Sequence, residues 1–558
     1  MRPRTHCIFA VVFCSYFATA SWAQTESELI NLVAEYDQAL KGETNEAVKC
    51  GFPAVAALRS QAVQLSKFDR VHHLAAQRPV LPLSYVTPDG RFRFHYTTSG
   101  NDAVDPAATI DRNVPDFVYE AGQAAQLAHT RLLNSLGFRP PVDDGGVDGP
   151  EFDFYILNLN NLYGDTQFDF SVGTGPAFIR LDNDYQGGGF YSKGLDGLLV
   201  TVAHEYFHAV QLNYYFRNED VFFFELSSVW FEDFSYDDIN DYLQYLPSWF
   251  LNFTQPLNST SGFRQYGSSL WLHYLIKRLG SNEIVSAIWE RLPSQQAVYA
   301  MSAAIEAPPF NFSFGEAIRE FQVWTYFTGS RADTVNYFEE GHLYPELEFR
   351  ETIRFAADTS IADDLASLAG RFYRFHRDRQ ELSFRVLVDS ALRWRASTIA
   401  EQEGAFDLQE AIGLVTLTVD KSDREDSVVV LVSNVGLPPS ALDFPKFNYT
   451  LRGELGNSDP PISALEVPHP NPFRLSSGSI VQFPYSLKER TQVSYAIFRE
   501  DGSTVIHKNL GERGGGRHTD LWWDGVDESG KLVGSGIYLF RLLAGSLVET
   551  AKFVVVRN

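Results

Sequence analysis

The sequence predicts a multidomain chain in which an α+β domain is followed by all-β sandwich domains. Residues 79–348 mix strand-like alternation, as in Arg91–Tyr96, with helical periodicity, as in Pro115–Leu136. From about residue 350 strand patterns dominate, and residues 459–558 contain short alternating segments separated by Asp-Gly and Ser-Gly turns. A length of 558 residues is enough for three or four such domains.

The N-terminus has the pattern of an export signal. Arg2 and Arg4 precede an apolar run from Ile8 to Ala20, and small residues follow up to Ala23. The run is too short to span a bilayer, so we interpret residues 1–23 as a cleaved signal peptide and expect a secreted or cell-surface protein. Residues 24–78, with predicted helices over 26–40 and 54–68, form a helical N-terminal segment and a candidate pro-segment.

Charge and cysteine content limit the function classes. The formal net charge of −24 would become −26 after cleavage, because Arg2 and Arg4 are removed. Such acidity argues against nucleic acid or anionic membrane as partners. Cleavage would also remove Cys7 and Cys14, which leaves Cys50 as the single thiol and excludes an internal disulfide.

The run from His204 to His208 reads His-Glu-x-x-His inside a predicted helix over residues 198–212. Residues four apart share a helix face, so both imidazoles can reach one metal ion. Glu205 then lies beside the ion, where a general base for water attack is needed, and the pattern is typical of zinc hydrolases. The alternative interpretation is two ordinary histidines on a core or surface helix.

A catalytic zinc ion needs a third protein ligand, and the next predicted helix, over residues 222–233, offers two glutamates. Glu225 lies among aromatic residues, where an isolated carboxylate would be costly to bury. Glu232 follows seven residues later on the same face. We predict Glu225 as the third ligand, with Glu232 as the alternative ligand or as an acceptor for a histidine N–H. Acidic residues favoured near a helix N-terminus are the other interpretation.

These motifs resemble the gluzincin superfamily of zinc metallopeptidases and, more narrowly, the bacterial MXAN_6640 family of secreted metallopeptidases. The resemblance implies a zincin-like metallopeptidase core over residues 79–348, a Zn²⁺ cofactor, protein or peptide substrates and Glu205 as general base. The chain departs from many gluzincins in having Phe224-Glu225-Leu226 around the third ligand. The matching segments are 111–118, 151–156, 203–211, 230–233 and 266–267.

The C-terminal half is predicted to be all β. Strand patterns at 381–388, 414–419 and 427–433 predict a β-sandwich over residues 349–458. Within 459–558, Asn471-Pro-Phe473, Trp523-Asp-Gly525 and Gly536-Ile-Tyr538 resemble the FlgD-type immunoglobulin-like domain of exported bacterial proteins. That resemblance implies contact with the cell surface or secretion machinery; a plain spacer domain is the alternative.

Two further residues are candidates for roles at the zinc site. Tyr266 is predicted to donate a hydrogen bond to the oxyanion, with a packed aromatic as the alternative. Cys50, in Val48-Lys-Cys-Gly-Phe-Pro53, resembles the cysteine-switch motif of matrixin pro-segments, which implies a thiolate latch on the zinc. The alternative is a buried cysteine packed as a small apolar residue.

The sequence therefore predicts a secreted zinc endopeptidase. The rival class is a non-catalytic surface or adhesion protein with a metal-stabilised head and β-sandwich spacers. Calcium is a further candidate cofactor, because the acidic loops 143–148 and 182–184 carry hard oxygen ligands, but these loops lack the full spacing of a known calcium loop and solvated turns are the favoured interpretation.

Overall fold

The computed structural model describes residues 26–60 and 77–349 without interruption, and most of 352–557. The predicted signal peptide lies outside the described residues, as does the predicted second helix beyond residue 60. Also outside are residues 350–351, 355–358, 377–380, 389–392, 403–404, 413–414, 420–426, 440–444, 457–463, 476–479, 489, 515, 519–520, 546 and 558.

The described residues belong to two compact units. The first comprises the described parts of Met1–Glu348 with Ala366–Ala369 and Leu437–Pro445. The second comprises those of Phe349–Leu365, Gly370–Gly436 and Lys446–Asn558. The chain is thus a mixed α and β protein with several β-sheets, and its finer domain boundaries stay predictions.

Helices surround one sheet in the first unit. They are α1 (Glu26–Ala39), α2 (Phe52–Arg59), α3 (Asp116–His129), α4 (Gly194–Gln211), α5 (Val221–Ser235), α6 (Leu246–Leu251), α7 (Arg264–Gly267), α8 (Leu270–Leu279), α9 (Glu283–Trp289), α10 (Ala297–Glu306) and α11 (Phe314–Trp324). A π-helical turn at Thr130–Ser135 extends α3. None of the helices in the described part of the chain is both long and apolar enough to span a membrane.

The sheet of the first unit has the strand order β1-β2-β3-β5-β4. The pairs β2–β3 and β3–β5 are parallel, whereas β1–β2 and β4–β5 are antiparallel. Central strands in such a sheet are covered on both faces, which is why β5 is buried along its whole length. The bounds are β1 (Leu83–Val86), β2 (Phe92–Tyr96), β3 (Phe152–Ile156), β4 (Gly164–Phe168) and β5 (Ala177–Leu181).

The edge strand β4 is covered by the N-terminal helices. The Tyr36 hydroxyl of α1 donates to Asp165 Oδ2 at 2.8 Å, and the Arg180 guanidinium donates to the same carboxylate and to the Tyr36 hydroxyl. All eight residues of α2 are buried, and the Arg59 guanidinium donates to the Phe168 carbonyl at 2.6 Å. Residues 26–60 are therefore an integral layer of the first unit.

The helix α4 lies against β4 and β5, and α5 packs against α4. The helix α4 follows extended Lys193 and carries Asp196 in its first turn, where a carboxylate favours the helix dipole. From Ala203 to Gln211 every residue of α4 is buried, so this stretch lies between the sheet and α5.

The second unit consists of β-sheets. One sheet has the order β11-β10-β13-β8-β6 and another β12-β9-β14-β7. Tyr449 of β14 contacts Tyr373 of β8 and Trp394 of β10, so the two sheets pack face to face as a sandwich. Their strands are β6 (Thr352–Arg354), β7 (Thr359–Ala366), β8 (Ala369–His376), β9 (Glu381–Val388), β10 (Trp394–Gln402), β11 (Ala405–Ile412), β12 (Val415–Val419), β13 (Ser427–Asn434) and β14 (Lys446–Gly456).

The C-terminal strands enclose a separate aromatic core. Phe473, Trp523 and Tyr538, one from each recognised C-terminal motif, all lie in this core. Gly525 has φ +81°, and an added Cβ would lie 2.1 Å from Leu475, so the motif glycine is required for packing. The strands are β15 (Ala464–Leu465), β16 (Phe473–Leu475), β17 (Val481–Gln482), β18 (Tyr485–Leu487), β19 (Thr491–Arg499), β20 (Thr504–Arg513), β21 (Gly516–His518), β22 (Trp522–Trp523), β23 (Gly536–Ala544) and β24 (Leu547–Arg557).

The predicted order of an α+β region followed by β-sheets is confirmed, with local differences. The strands β1 and β4 and the helix α10 are absent from the sequence prediction. The segment 263–280, predicted as one helix, is divided into α7 and α8. At this break the backbone hydrogen bonds change to three-residue spacing, with Ser269 N–H donating to the Tyr266 carbonyl at 3.1 Å and Trp271 N–H to the Ser268 carbonyl at 2.9 Å.

Candidate metal centre

Four potential metal ligands converge between α4, α5 and the N-terminal segment. One donor atom from each of Cys50, His204, His208 and Glu225 lies within 4.8 Å of the others, and all four side chains are buried. The two Nε2 atoms are 3.0 Å apart. His204 Nε2 is 3.3 Å from Glu225 Oε2, and His208 Nε2 is 3.3 Å from Glu225 Oε1. The His-Glu-x-x-His helix therefore presents both imidazoles to one point, as a shared helix face requires.

Both histidines are held by an acceptor at Nδ1. His204 Nδ1 donates to Glu232 Oε1 at 2.6 Å, and His208 Nδ1 donates to Gln211 Oε1 at 2.7 Å. The Gln211 amide is oriented by its NH₂ group, which donates to the Phe224 carbonyl at 3.2 Å. With each proton on Nδ1, the Nε2 lone pairs point to the centre of the cluster, which is the tautomer a metal ligand needs.

The structure separates the two candidate glutamates. Glu225 lies beside the Nε2 atoms, whereas Glu232 lies beside His204 Nδ1, on the far side of the ring. The other oxygen of Glu232 is 2.8 Å from Lys49 Nζ, which is also 2.6 Å from Asp241 Oδ2. Although burial disfavours the charge, Asp241 and Glu232 raise the pKa of Lys49 above its usual value. Of the two, Glu225 is the one that can reach an ion held by the histidines.

The donor set fits a cation. Neither carboxylate oxygen of Glu225 has a hydrogen-bond partner among the described residues, although both are buried. Two Nε2 lone pairs and a carboxylate held this close repel each other unless a positive charge lies between them. Burial lowers the pKa of His204, but the neighbouring carboxylates of Glu225 and Glu232 outweigh this and raise the pKa to about 10. The N, O and S donors of the cluster can hold a metal ion.

Glu205 lies next to the cluster but outside the donor set. Its Oε2 accepts a hydrogen bond from the Thr166 hydroxyl at 2.7 Å, so the edge strand β4 fixes the carboxylate. The other oxygen, Oε1, is buried and has no hydrogen-bond partner in the part of the chain that the structure describes. Burial raises the pKa of Glu205. This carboxylate lies beside the donor set and contributes no atom to it.

Cys50 belongs to the cluster, 154 positions before the first histidine. Its Sγ lies 3.5 Å from His208 Nε2 and accepts a hydrogen bond from the Phe52 backbone N–H at 3.2 Å. Burial, and next the charges of Glu205 and Glu225, raise the pKa of the thiol well above its usual value. A sulfur donor thus occupies a fourth corner of the site.

Tyr266 lies in α7, buried, with its ring against Tyr245 and Phe263. Burial raises the pKa of its hydroxyl well above the usual value, and the charges of Glu225, Cys50 and Glu205 add to this. The phenol is therefore within electrostatic range of the donor set, and its role as an oxyanion donor stays a prediction.

The acidic loops form hydrogen-bonded turns. Asp144 Oδ1 accepts from the Gly146 and Val147 backbone N–H groups, and Asp182 accepts from those of Leu159 and Tyr185. A second group with metal-binding geometry contains His95, Asp148 and Asp153, but Arg78 already forms an ion pair with Asp153. Calcium binding stays a prediction.

Four supporting residues were not assigned a role at the site from the sequence. Gln211 ends the His-Glu-x-x-His helix three residues after His208, so helical spacing could have indicated it. Lys49 belongs to the Val48–Pro53 motif, but its pairing with Glu232 and Asp241 depends on the tertiary fold, as does the position of Thr166.

Comparison with known proteins yields distant structural matches. No family model and no curated protein matches the sequence. Among solved structures, PorZ, a surface component of the type-IX secretion system of Porphyromonas gingivalis, is 16% identical over 19% of this chain and 14% of its own, with a TM-score of 0.14. Dimeric latent PorU from Porphyromonas gingivalis is 12% identical over 38% of this chain and 19% of its own, with a TM-score of 0.17.

A β-glucuronidase from Parabacteroides merdae is 12% identical over 34% of this chain and 27% of its own, with a TM-score of 0.16. The chain thus spans well under two thirds of these structures. TM-scores of this size carry no argument about activity.

Proposed function

We propose that this chain is a secreted, zinc-dependent endopeptidase. The observation that carries the proposal is the placement of Glu205. Its carboxylate is fixed by Thr166 next to a donor set formed by His204, His208 and Glu225, while it contributes no donor atom to that set. A purely structural metal site has no need of a base in this position.

His204, His208 and Glu225 would hold the metal. Two imidazoles and a carboxylate suit zinc, which in catalytic sites takes three protein ligands and keeps one position open. When bound, zinc supplies Lewis acidity at this point. Glu232 and Gln211 hold the two Nδ1 protons and so keep both Nε2 atoms free for the ion.

The proton transfers fall to Glu205. Its Oε1 takes a proton from the attacking water and returns it to the leaving amine nitrogen, while the Thr166 hydroxyl fixes Oε2. The buried hydroxyl of Tyr266 is the candidate donor to the oxygen that gains charge in the transition state. The resemblance to gluzincins and to the MXAN_6640 family supports the same assignment.

The second candidate function is a non-catalytic surface or adhesion protein with a metal-stabilised head. The observation that favours it is Cys50, because a fourth protein donor closes the site, as in structural zinc centres. Under either function we propose export to the medium or cell surface. The FlgD-type resemblance of the C-terminal domain, which would mediate surface or secretion contacts, agrees with this location.

The test is metal analysis beside a casein cleavage assay on the full mature chain, carried out on wild type and on Cys50→Ala. Glu205→Gln in the Cys50→Ala background should keep the zinc content and lose roughly 10²- to 10⁴-fold in cleavage rate, the usual contribution of a general base. Glu290→Gln, at an exposed ion pair with Arg139, serves as the control and should change neither.

Cleavage that survives Glu205→Gln would remove Glu205 from the mechanism. Full zinc content without cleavage in either background would instead support the metal-stabilised head.

A further inference from the structure

The segment Ala47–Pro53 passes the site, forms a parallel bridge between Val48 and Leu162, and enters α2 at Phe52. Val48 N–H donates to the Asn161 carbonyl at 2.7 Å, Tyr163 N–H donates to the Val48 carbonyl at 3.0 Å, and Gly51 N–H donates to the Gly164 carbonyl at 2.9 Å. These bonds engage residues 161–164, which lead into β4, the edge strand that also carries Thr166. Pairing with a sheet edge is a common way to bind a peptide, and here it is confined to the chain around Val48, because Gly51 already has helical dihedral angles.

Cys50 brings this segment onto the donor set. Its Sγ lies within 4.8 Å of a donor atom of each of His204, His208 and Glu225. Zinc and similar ions favour sulfur donors and deprotonate them on binding. The sulfur would therefore occupy the position that an attacking water needs.

Phe52 fills an aromatic slot beside the donor set. Its ring stacks on His208 at a centroid distance of 4.2 Å and on Phe224 at 5.2 Å, and it also contacts Phe168 and Phe216. The ring is fully buried. A slot of this composition selects a large apolar side chain by the area it removes from water.

Two further features involve Lys49 and Pro53 of this segment. Lys49 fixes the segment through its ion pairs with Glu232 and Asp241. On the other side, a cavity of about 560 Å³ opens next to Pro53, and its lining includes Leu29, Leu32, Phe222 and Phe263. Of the segment Ala47–Pro53, Pro53 is the residue that lines this cavity.

We propose that Ala47–Pro53 lies in the substrate cleft as a tethered inhibitor, with Cys50 as the fourth metal donor and Phe52 in a subsite for a large apolar substrate side chain. This inference rests on the proposed function, since it names the regulation and the substrate preference of the same site. Activation then requires Cys50 and Phe52 to move away from the donor set, and the preferred substrates are peptides with a bulky apolar residue near the scissile bond.

The first test is spectroscopic and does not depend on activity. The full mature chain is loaded with Co²⁺ in place of zinc, and its near-ultraviolet absorption is recorded. A sulfur-to-cobalt charge-transfer band is expected in the wild type and should vanish in Cys50→Ser while cobalt stays bound. Bound cobalt without the band in the wild type overturns the sulfur contact. A wild type that binds no metal overturns the proposed function itself, which is a different outcome.

The second test is kinetic. Cys50→Ser and Phe52→Leu should each raise kcat/KM for casein-derived peptides by roughly tenfold or more, because a larger fraction of molecules has an open cleft. Phe321→Leu, at a buried ring away from the donor set, is the matched control and should give no increase. Thermal unfolding of each variant shows that it is folded. Folded, metal-loaded variants without increased activity overturn the inhibitor role.

The subsite is tested in the Cys50→Ser protein with paired peptides that differ by one Phe-to-Ala exchange. The Phe peptide should be cleaved with a kcat/KM at least about tenfold higher, a difference expected for one large apolar side chain. A synthetic peptide of residues 46–54 should compete with these substrates. Equal cleavage of the pair overturns the subsite assignment.

Discussion

Replacing Glu232 by glutamine should weaken metal binding without removing a ligand. Glu232 uses one oxygen to accept the His204 Nδ1 proton at 2.6 Å and the other to pair with Lys49 Nζ at 2.8 Å. Glutamine has one acceptor oxygen and one NH₂ group. If the oxygen faces His204, the NH₂ faces a buried ammonium; if it faces Lys49, the NH₂ faces the imidazole N–H.

The expected loss of metal affinity follows from the missing acceptor oxygen and the missing negative charge of Glu232. Lys49 keeps Asp241 at 2.6 Å, so the glutamine oxygen should turn to His204 and the fold should survive. Loss of the negative charge behind His204 then makes the imidazole a weaker donor. Changes to such supporting contacts typically reduce metal affinity roughly 10- to 100-fold. On the free-energy scale this is about 1.4–2.7 kcal/mol.

The assay is competition for zinc between the purified mature chain and a chromophoric chelator. Glu290→Gln makes the same chemical change at an exposed ion pair and should leave the zinc Kd unchanged. A Glu232→Gln protein with the wild-type Kd would refute the reasoning, because it would mean that zinc affinity does not depend on the negative charge behind His204.

Two other predictions follow from the geometry around the site. Gly164→Ala would place a methyl group 2.8 Å from Thr201 Cγ2 and 3.2 Å from Glu205 Cγ. The resulting displacement of Glu205 should lower kcat while the zinc content stays unchanged. The control is Gly188→Ala, which has nothing within 4 Å of the added methyl group and should have no effect. An unaltered kcat in folded Gly164→Ala would contradict this. Burial raises the pKa of Asp182 from 3.8 to about 6. Between pH 3.8 and pH 6 the folded state therefore binds a proton that the unfolded state has lost. The free energy of unfolding falls as pH rises through this range, by about 3 kcal/mol in total. Unfolding by denaturant at pH 4 and pH 7 should show that Asp182→Asn removes this loss, and an identical pH slope in both proteins would speak against it.

Helical spacing was enough to predict the arrangement of His204 and His208, because both residues belong to one continuous element. The same reasoning could not separate Glu225 from Glu232. Seven residues are close to two helical turns, so both glutamates share a face. Which of them reaches Nε2 depends on how α5 packs against α4, and only the tertiary structure contains that information.

The edge strand β4 gave no signal in the sequence. Gly164-Asp-Thr-Gln-Phe168 lacks the β-branched and apolar run of a buried strand, yet all five residues are buried. Asp165 accepts hydrogen bonds from Tyr36 and Arg180, and the Gln167 NH₂ group donates to the Tyr36 hydroxyl. Tyr36 lies more than a hundred residues away in sequence, so a strand stabilised by such contacts cannot be read from local pattern, and the position of Thr166 was missed with it.

The adjacency of Lys49 and Cys50 links two equilibria. Lys49 forms an ion pair with Glu232, next to His204, and Cys50 lies with the donor atoms of the same cluster. A bound ion that stabilises the contact of the N-terminal segment with the site is itself stabilised by that segment. The two free energies are equal, because such coupling is reciprocal. Chelators should therefore increase hydrogen exchange in residues 47–59, and variants that loosen this segment should release metal more readily.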